Sequence, residues 1–247
     1  MPDDNLIWIA PLIFLLAGTV KGAIGIGLPT TIIALMSLFV DPRVAVALGL
    51  TAMILSNVWQ VHREGGWLQP LSRFWPYLLV SGVVLLAMSQ FAAQADGEAI
   101  LIFTGIAIVI FTISSLIGKP PALPAKWERP AQIATGGVAG AMGGLTGIWS
   151  PPMLMMLLSL RLDQRAFVNT VGALLCLGAL PLQAGYVAAG LITWELFGLS
   201  LALCVPVFIG FSIGERFRRR VDAALFQKLL LFFFLAMGLN MIRQGVL

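Results

Sequence analysis

The sequence predicts an all-α polytopic membrane protein with an inverted internal repeat, in which each half has one broken, re-entrant hairpin and three full transmembrane helices. Three observations lead to this fold class. The 247 residues are 59% hydrophobic and 11% charged, whereas soluble domains carry about 25% charged residues. Apolar runs bounded by single charges recur from residue 6 to residue 242, and about 20 apolar residues cross a bilayer as a helix. The two halves of the chain also match each other in sequence.

The apolar segments divide into six full-length helices and two interrupted regions. The full-length helices are predicted at 43–61, 71–92, 98–118, 165–185, 193–214 and 223–243. The other two regions, 6–40 and 131–160, are too long for one crossing at a rise of about 1.5 Å per residue. Their midpoints contain residues that interrupt helices. These are Gly22, Gly25, Gly27 and Pro29 in the first region, and Gly143, Gly144, Gly147, Pro151 and Pro152 in the second. We therefore expect each region to be a hairpin of two half-helices around a break.

An internal repeat relates these segments. A shift of 122 residues places Gly22 on Gly144, Pro29 on Pro151 and Asp41 on Asp163. The same shift, without a gap, also places Ala17, Gly18, Gly25, Ile26, Leu35, Ser37, Leu38, Arg43 and Val46 on identical residues. Apolar matches arise easily by chance, but aligned Gly, Pro, Asp and Arg do not, so we interpret the match as a duplication. The predicted units are an N-terminal repeat at 1–118, a cytoplasmic linker at 119–130 and a C-terminal repeat at 131–247.

The basic residues decide between a parallel and an inverted repeat. If each interrupted region crossed the membrane once, the halves would be parallel and the basic residues would divide about evenly between the two faces. If each region is a hairpin, the halves are inverted and one face collects Arg63, Arg73, Lys119, Lys126, Arg129, Arg161, Arg165, Arg216, Arg218, Arg219, Arg220 and Lys228. Only Arg43 and Arg243 then lie on the other face, with Lys21 inside the membrane. The positive-inside rule favours the inverted arrangement, with the crowded face cytoplasmic and both termini outside.

The two breaks form the candidate binding site. Irregular backbone at membrane depth is tolerated only where it is buried in protein or lines a wet cavity. A helix that restarts at Pro29 or Pro151 presents free N–H groups and the positive end of its dipole, which together attract an anion, as in transporters with discontinuous helices. The candidate substrate-binding residues are Lys21, Gly25, Gly27, Pro29, Thr30, Thr31, Asn57, Gln60, Thr146, Gly147, Trp149, Ser150, Pro151 and Asn169.

These residues also have plainer interpretations. Lys21 is predicted deep in the membrane, which favours a role as counter-charge to an anion. Its side chain could instead extend to water, or simply stabilise the end of the first half-helix. The glycines and prolines could serve close helix packing, and Asn57, Gln60 and Asn169, each taken alone, are more typical of interhelical hydrogen bonds. Trp149 could wall the cavity. The tryptophans predicted as interfacial anchors near helix ends are Trp67, Trp75, Trp127 and Trp194.

The residue types that are missing at membrane depth exclude several classes of function. Cys176 and Cys204 are isolated in apolar segments, and His62 lies in a charged loop. The sequence therefore predicts no metal, no other cofactor and no enzyme active site. No carboxylate is predicted inside the membrane, which disfavours proton coupling through a buried acid. The net charge of +4 comes from Lys and Arg at helix ends, which set topology, rather than from a nucleic-acid surface.

Short motifs in both halves resemble those of a known protein family. They are GTVKGAIGIGLPTT at 18–31, the Asp41-Pro42 turn, SNVWQ at 56–60, the Gly-rich break at 140–152, and the segment at 210–220 before the last helix. In this order and spacing they resemble the sulfite exporter TauE/SafE family, also called the toluene sulfonate uptake permease family. The resemblance implies transport of sulfite, sulfonates or related small anions, generally out of the cytoplasm, across a bacterial-type inner membrane. The second break departs from the family's commoner Gly-rich form by the sequence Trp149-Ser150-Pro151-Pro152.

We therefore expect a secondary transporter that exports a small sulfur-containing or organic anion, such as sulfite or sulfoacetate, by alternating access at a midplane site. The two hairpin tips and Lys21 would bind the sulfonate or carboxylate group while one helical bundle moves against the other. Two alternatives stay open: an importer or channel for another small anion, and a non-transporting membrane assembly subunit. The expected partners are the small anion and the lipid bilayer, without nucleic acid. The sequence does not predict an oligomeric state.

Overall fold

The computed structural model describes residues 4–117, 120–217 and 223–246, and every regular element in this part of the chain is a helix. The helices are α1 (Asp4–Ile24), α2 (Leu28–Met36), α3 (Pro42–Glu64), α4 (Leu68–Gln94), α5 (Gly97–Leu116), α6 (Glu128–Thr146), α7 (Ser150–Ser159), α8 (Gln164–Ala188), α9 (Trp194–Ala202), α10 (Cys204–Phe217) and α11 (Ala223–Val246). The stretches long and apolar enough to cross a membrane are Pro42–Glu64, Leu68–Gln94, Gly97–Leu116, Gln164–Ala188 and Trp194–Arg216. The prediction of an all-α polytopic membrane protein is confirmed.

Each predicted full-length helix has a counterpart, with one difference. Five helices match predicted segments, and most of their ends lie within a few residues of the predicted ends. They are α3, α4, α5, α8 and α11. The segment predicted as one helix at 193–214 is instead two helices, α9 and α10, which are separated at Leu203. Pro206 lacks the N–H that would bond to the Ala202 carbonyl, which favours an interruption at this point. The predictions for Lys119, Arg218, Arg219, Arg220 and the two chain ends lie outside the described residues.

Both interrupted regions contain two helices separated by a short turn. The turns are residues 25–27 between α1 and α2, and residues 147–149 between α6 and α7. Their glycines have positive φ values of 90° at Gly25, 99° at Gly27 and 72° at Gly147. Residues with a Cβ atom rarely adopt this conformation, because the Cβ atom comes too close to the main chain. Glycine at these positions therefore allows the chain to turn between the half-helices.

Other glycines of the interrupted regions serve helix packing. Gly22 lies inside α1, where an added Cβ atom would overlap the Phe211 carbonyl oxygen of α10. Gly144 lies inside α6, where a Cβ atom would lie 2.5 Å from the Cβ atom of Met88 on α4. Small residues let two helix backbones approach closely inside a membrane. The packing interpretation therefore applies to these two glycines, which precede the breaks rather than form them.

The two central helices, α3 and α8, pack antiparallel. Gln60 Nε2, near the end of α3, donates to the Val168 carbonyl near the start of α8 at 2.8 Å. Cys176 Sγ, further along α8, lies 3.8 Å from the Ile54 carbonyl oxygen. α5 and α11 also pack antiparallel, through glycines on both helices. Because the shift of 122 residues relates α3 to α8 and α5 to α11, these directions support an inverted repeat, which stays a prediction.

The helix breaks lie next to the best-buried part of the protein. Among the candidate spans, α3 and α8 are the most buried, with 72% and 61% of their apolar windows inside the protein. α2 packs on α3, and α7 packs on α6 and α8. Large apolar side chains of the outer helices are exposed, including Leu79 and Val83 on α4. The second turn is buried in protein and the first is half-buried beside a cavity, and both are settings in which irregular backbone is tolerated at membrane depth.

Candidate anion-binding site

A cavity of about 210 Å³ opens on the first break. Its lining comes from the break itself, the end of α5, α7 and the start of α8. The lining residues are Ile24, Gly25, Ile26, Ser114, Ser115, Leu154, Met155, Leu158, Phe167, Val168 and Val171. A Cβ atom added at Gly25 would meet no atom within 4 Å, so the main chain of the break borders open space. The first break is therefore accessible to a small ligand.

α2 begins beside this break without a side-chain cap. Its N-cap is Gly27, and Pro29 lies in its first turn. The first N–H groups of a helix have no partners within the helix, and they carry the positive end of its dipole. The Thr30 hydroxyl is buried and has no hydrogen-bond partner in the described part of the chain, whereas the Thr31 hydroxyl donates to the Gly27 carbonyl at 2.8 Å. The start of α2 thus offers main-chain donors and one uncommitted hydroxyl.

Lys21 is buried one turn before the first break. It is 2% exposed, and its Nζ donates to Asn57 Oδ1 at 2.5 Å and to Ser56 Oγ at 3.0 Å, both on α3. The interpretation that this side chain extends to water is therefore wrong. No carboxylate of the described residues forms a salt bridge with Nζ. An ammonium group has three donors, so one is left beyond the two bonds to α3.

The second break is closed. Every residue from Thr146 to Ser150 is buried. A Cβ atom at Gly147 would lie 2.5 Å from Val46 Cγ2, so α3 packs directly against this turn. The Thr146 hydroxyl donates to the Met142 carbonyl at 2.8 Å and accepts the N–H of the residue two positions later at 3.2 Å. The Thr146 hydroxyl is therefore bonded locally, and packed side chains cover the turn.

The start of α7 also offers fewer donors than the start of α2. α7 begins at Ser150, and the next two residues, Pro151 and Pro152, have no N–H. Trp149, its N-cap residue, is 1% exposed and packs against α8, where a Cβ atom at Gly178 would lie 3.0 Å from the indole Nε1. The two helix starts therefore differ in their donors, and Trp149 lies against α8 and is not among the residues that line the cavity at the first break.

Of the three predicted amide residues on the central helices, Gln60 and Asn169 form interhelical or loop contacts. Gln60 Nε2 donates to the Val168 carbonyl, and Asn169 Nδ2 donates to the Gly66 carbonyl at 3.0 Å. The interhelical interpretation therefore accounts for Gln60, and a contact from α8 to the loop after α3 accounts for the Asn169 amide nitrogen. Asn57 is the one of the three that contacts Lys21.

Two serines that were not predicted as site residues, Ser114 and Ser115, line the cavity. Their hydroxyls donate to the Phe111 carbonyl of their own helix at 2.9 Å and 2.7 Å. Serines within apolar helices commonly make such bonds, so the sequence around them gives no sign of a ligand. The available signal was their place near the end of an apolar helix, two polar residues in succession. Ser56, which contacts Lys21, is the neighbour of the predicted Asn57.

The first break lies beside a buried cation, the uncapped start of α2 and a cavity, although the cavity lining includes neither Lys21 nor the first turn of α2. The residues that the structure describes contain no group of three or more His, Cys, Asp or Glu side chains that could hold a metal. Cys176 and Cys204 are free thiols in the interior. The chemistry that the break itself can supply is hydrogen bonding and positive charge, both of which suit an oxyanion.

Comparison with known protein families agrees with this geometry. The family model described as "Sulfite exporter TauE/SafE" matches residues 10–241, nearly the whole chain. Comparison with curated proteins and with solved structures gives no match. The matched region contains both helix breaks, Lys21 and the helices that line the cavity. The chain therefore belongs to the sulfite exporter TauE/SafE family of membrane transporters.

Proposed function

We propose that this protein exports a small sulfur-containing or organic anion, such as sulfite, sulfoacetate or a related sulfonate, by alternating access. The anion binds between the start of α2 and Lys21. The observation that carries the proposal is the cavity of about 210 Å³ that opens on the first break, because it reaches the main chain at Gly25 and Ile26, next to the N-cap of α2. The same proposal places the protein in a bacterial-type inner membrane.

The donors at the first break suit a sulfonate or sulfite group. Such a group spreads negative charge over several oxygens and accepts hydrogen bonds from several directions. The uncapped N–H groups of α2 point along the helix axis with the positive end of the dipole. Gly25 and Gly27 have no side chains to obstruct an approach to the main chain, and the Thr30 hydroxyl has no competing partner among the described residues.

The charge of Lys21 also favours an anion. A buried ammonium group is costly when no opposite charge accompanies it, and intramembrane charges commonly mark substrate pathways. Lys21 has polar partners in Ser56 and Asn57 but no carboxylate partner in the described residues. Its main chain adjoins the break, since the Gly25 N–H donates to the Lys21 carbonyl at 2.6 Å. A bound anion would offset the uncompensated charge.

The position of the cavity favours loading from the cytoplasm. The lining residues Ser114, Leu158 and Phe167 lie close in sequence to the linker and the turn that the charge distribution assigns to the cytoplasmic face. An anion that leaves a negative-inside cell moves down the membrane potential, by about 2.3 kcal/mol per charge per 100 mV. Export therefore needs no coupling ion. The closed second break argues against a permanently open channel.

Flux measurements in proteoliposomes test this proposal. We expect saturable efflux of sulfite or sulfoacetate that accelerates when the compartment facing the cytoplasmic side is made negative, and little flux of a cation of similar size. Flux in the opposite direction against the potential would favour the importer alternative. Flux that rises linearly with concentration would favour a channel. Absence of any anion flux from correctly folded protein would favour an assembly subunit.

A further inference from the structure

A second pocket lies away from both breaks, where α4 and α6 begin. Its volume is about 430 Å³, and its lining includes Arg73, Trp75, Lys126, Glu128, Arg129 and Gln132. None of these residues belongs to the cavity at the first break. The pocket is therefore a separate feature that the proposed transport cycle does not use.

The pocket carries a net positive charge. Arg73 donates from Nε and Nη2 to the two carboxylate oxygens of Glu128, at 2.7 Å and 3.0 Å, and this bidentate pair joins α4 to α6. Lys126 and Arg129 are exposed and form no salt bridge within the described part of the chain. The pair neutralises one cation and one carboxylate, which leaves two cations for a ligand.

The residues around the pocket have the pattern of a membrane–water interface. Arg73 is the last charged residue of α4 before an apolar stretch that continues to the end of the helix, and Arg129 has the same place in α6. Trp75 and Trp127, each 54% exposed, lie at this level. Exposed tryptophans concentrate at the membrane–water interface. The exposed apolar side chains of both helices, including Val138, follow on the membrane side.

A buried acceptor lies at the inner end of the pocket. Gln132 is 1% exposed, and its Nε2 donates to the Arg73 carbonyl at 3.2 Å and to Glu128 Oε1 at 3.3 Å. Because both neighbours are acceptors, the orientation of the amide is settled and Oε1 faces away from them. Oε1 has no hydrogen-bond partner among the described residues. A ligand with a hydroxyl group would supply the missing donor.

We propose that this pocket binds the headgroup of an anionic phospholipid of the phosphatidylglycerol type. The phosphodiester lies between Lys126 and Arg129, a glycerol hydroxyl donates to Gln132, and the acyl chains follow the exposed apolar faces of α4 and α6. Basic pockets between transmembrane helices are typical binding sites for anionic headgroups. The Arg73–Glu128 pair holds the two helix starts at the spacing that the headgroup occupies.

Lipid-dependent thermal stability of the purified full-length protein tests the proposal, with native mass spectrometry to count bound lipids. The pocket variant is Lys126→Gln/Arg129→Gln. The matched control is Arg216→Gln/Lys228→Gln, which removes two exposed cations of the same predicted face outside the pocket. We expect phosphatidylglycerol, but not phosphatidylcholine, to raise the melting temperature of the wild-type protein and of the control. We expect about 25-fold weaker binding to the pocket variant, since it lacks two basic residues and each one near an anionic surface contributes roughly a factor of five.

Three results would overturn the proposal. An equal loss of the lipid response in the control variant and the pocket variant would show an effect of general surface charge. The same pocket-dependent response with inorganic phosphate or glycerol 3-phosphate at equal concentration would indicate a site for a soluble anion. A full response in the pocket variant would place the lipid elsewhere. A single substitution, Gln132→Leu, adds a readout for the headgroup: it should reduce the preference for phosphatidylglycerol over phosphatidic acid.

Discussion

The two helix breaks share a pattern of glycine and proline but differ in accessibility. At the first break, a cavity reaches the main chain around Gly25, and the start of α2 has no side-chain cap. At the second break, every residue from Thr146 to Ser150 is buried, and Val46 packs against the turn. A shared glycine and proline pattern therefore does not make equal binding sites, because the surrounding side chains decide which break a solute can reach.

The sequence shift of 122 residues shows where the two breaks diverge chemically. Lys21 of the first half corresponds to Gly143 in the second half, and Thr30 corresponds to Pro152. The second half thus lacks the cation and one main-chain donor that the first half has. Trp149 occupies space there instead. We expect the first break to carry anion binding and the second to act as a packed element against which the first one moves.

Loss of the charge at the first break should have the largest effect. Lys21→Met removes the buried cation while keeping a side chain of similar length. We expect anion flux to fall by about tenfold or more, because a hydrogen bond to a charged group contributes roughly 1.5–3 kcal/mol. Proteoliposome flux measures the effect, and size-exclusion chromatography checks folding. Lys21→Arg is the control and should retain part of the activity. Unchanged flux in the methionine variant would remove Lys21 from the mechanism.

Alanine at the two turn glycines should separate transport from stability. Gly147→Ala places a methyl group 2.5 Å from Val46 Cγ2 at a positive φ, so we expect a loss of stability of roughly 2–4 kcal/mol. The methyl group of Gly25→Ala meets no atom within 4 Å, so we expect a loss of stability of only about 1–2 kcal/mol. We also expect lower flux, because the methyl group narrows access to the main chain. Thermal unfolding and flux are measured on both variants. A lower melting temperature for Gly25→Ala than for Gly147→Ala would contradict this comparison.

The two neighbouring threonines give a matched pair with a smaller expected effect. The Thr31 hydroxyl is committed to the Gly27 carbonyl, whereas the Thr30 hydroxyl has no partner in the described residues. Thr30→Val should raise the KM for the anion by about fivefold, as expected for one lost hydrogen bond of about 1 kcal/mol. Thr31→Val should change the KM by less than about twofold. Equal effects of both substitutions would show that the Thr30 hydroxyl has no special role.

The smallest effect is expected at the second break. Trp149→Phe removes the indole N–H, which has no hydrogen-bond partner among the described residues, and keeps most of the packed aromatic surface. We expect anion flux within about twofold of the wild-type value and a modest loss of stability from the smaller ring. Flux assays and thermal unfolding measure the two quantities. A large change in KM would instead place Trp149 in contact with the substrate.

The positions of the breaks could be predicted from the sequence because glycine and proline have specific backbone effects. Gly25, Gly27 and Gly147 all adopt positive φ values, and the helices restart beside Pro29 and Pro151. Hydrophobic length likewise located the long helices. These features depend on a residue and its immediate neighbours, so one sequence is enough to find them.

The difference between the breaks could not be predicted because it depends on distant contacts. Val46 closes the second turn from α3, and Trp149 packs against Gly178 of α8. The partners of Lys21 are likewise more than 30 residues away along the chain. The break at Leu203 was missed for another reason: the segment is apolar throughout, and its single local signal was Pro206.

The most direct measurement compares Ile26→Cys and Ile148→Cys, which occupy equivalent positions of the two breaks, in a background with Cys176→Ser and Cys204→Ser. A membrane-impermeant thiol reagent is applied to each face of the membrane, with and without sulfoacetate. Because Ile26 lines the cavity and Ile148 is 0% exposed, we predict rapid labelling at position 26 from the cytoplasmic side, protection by the anion, and much slower labelling at position 148. Equal labelling of the two cysteines, or no protection at position 26, would contradict an anion site at the first break.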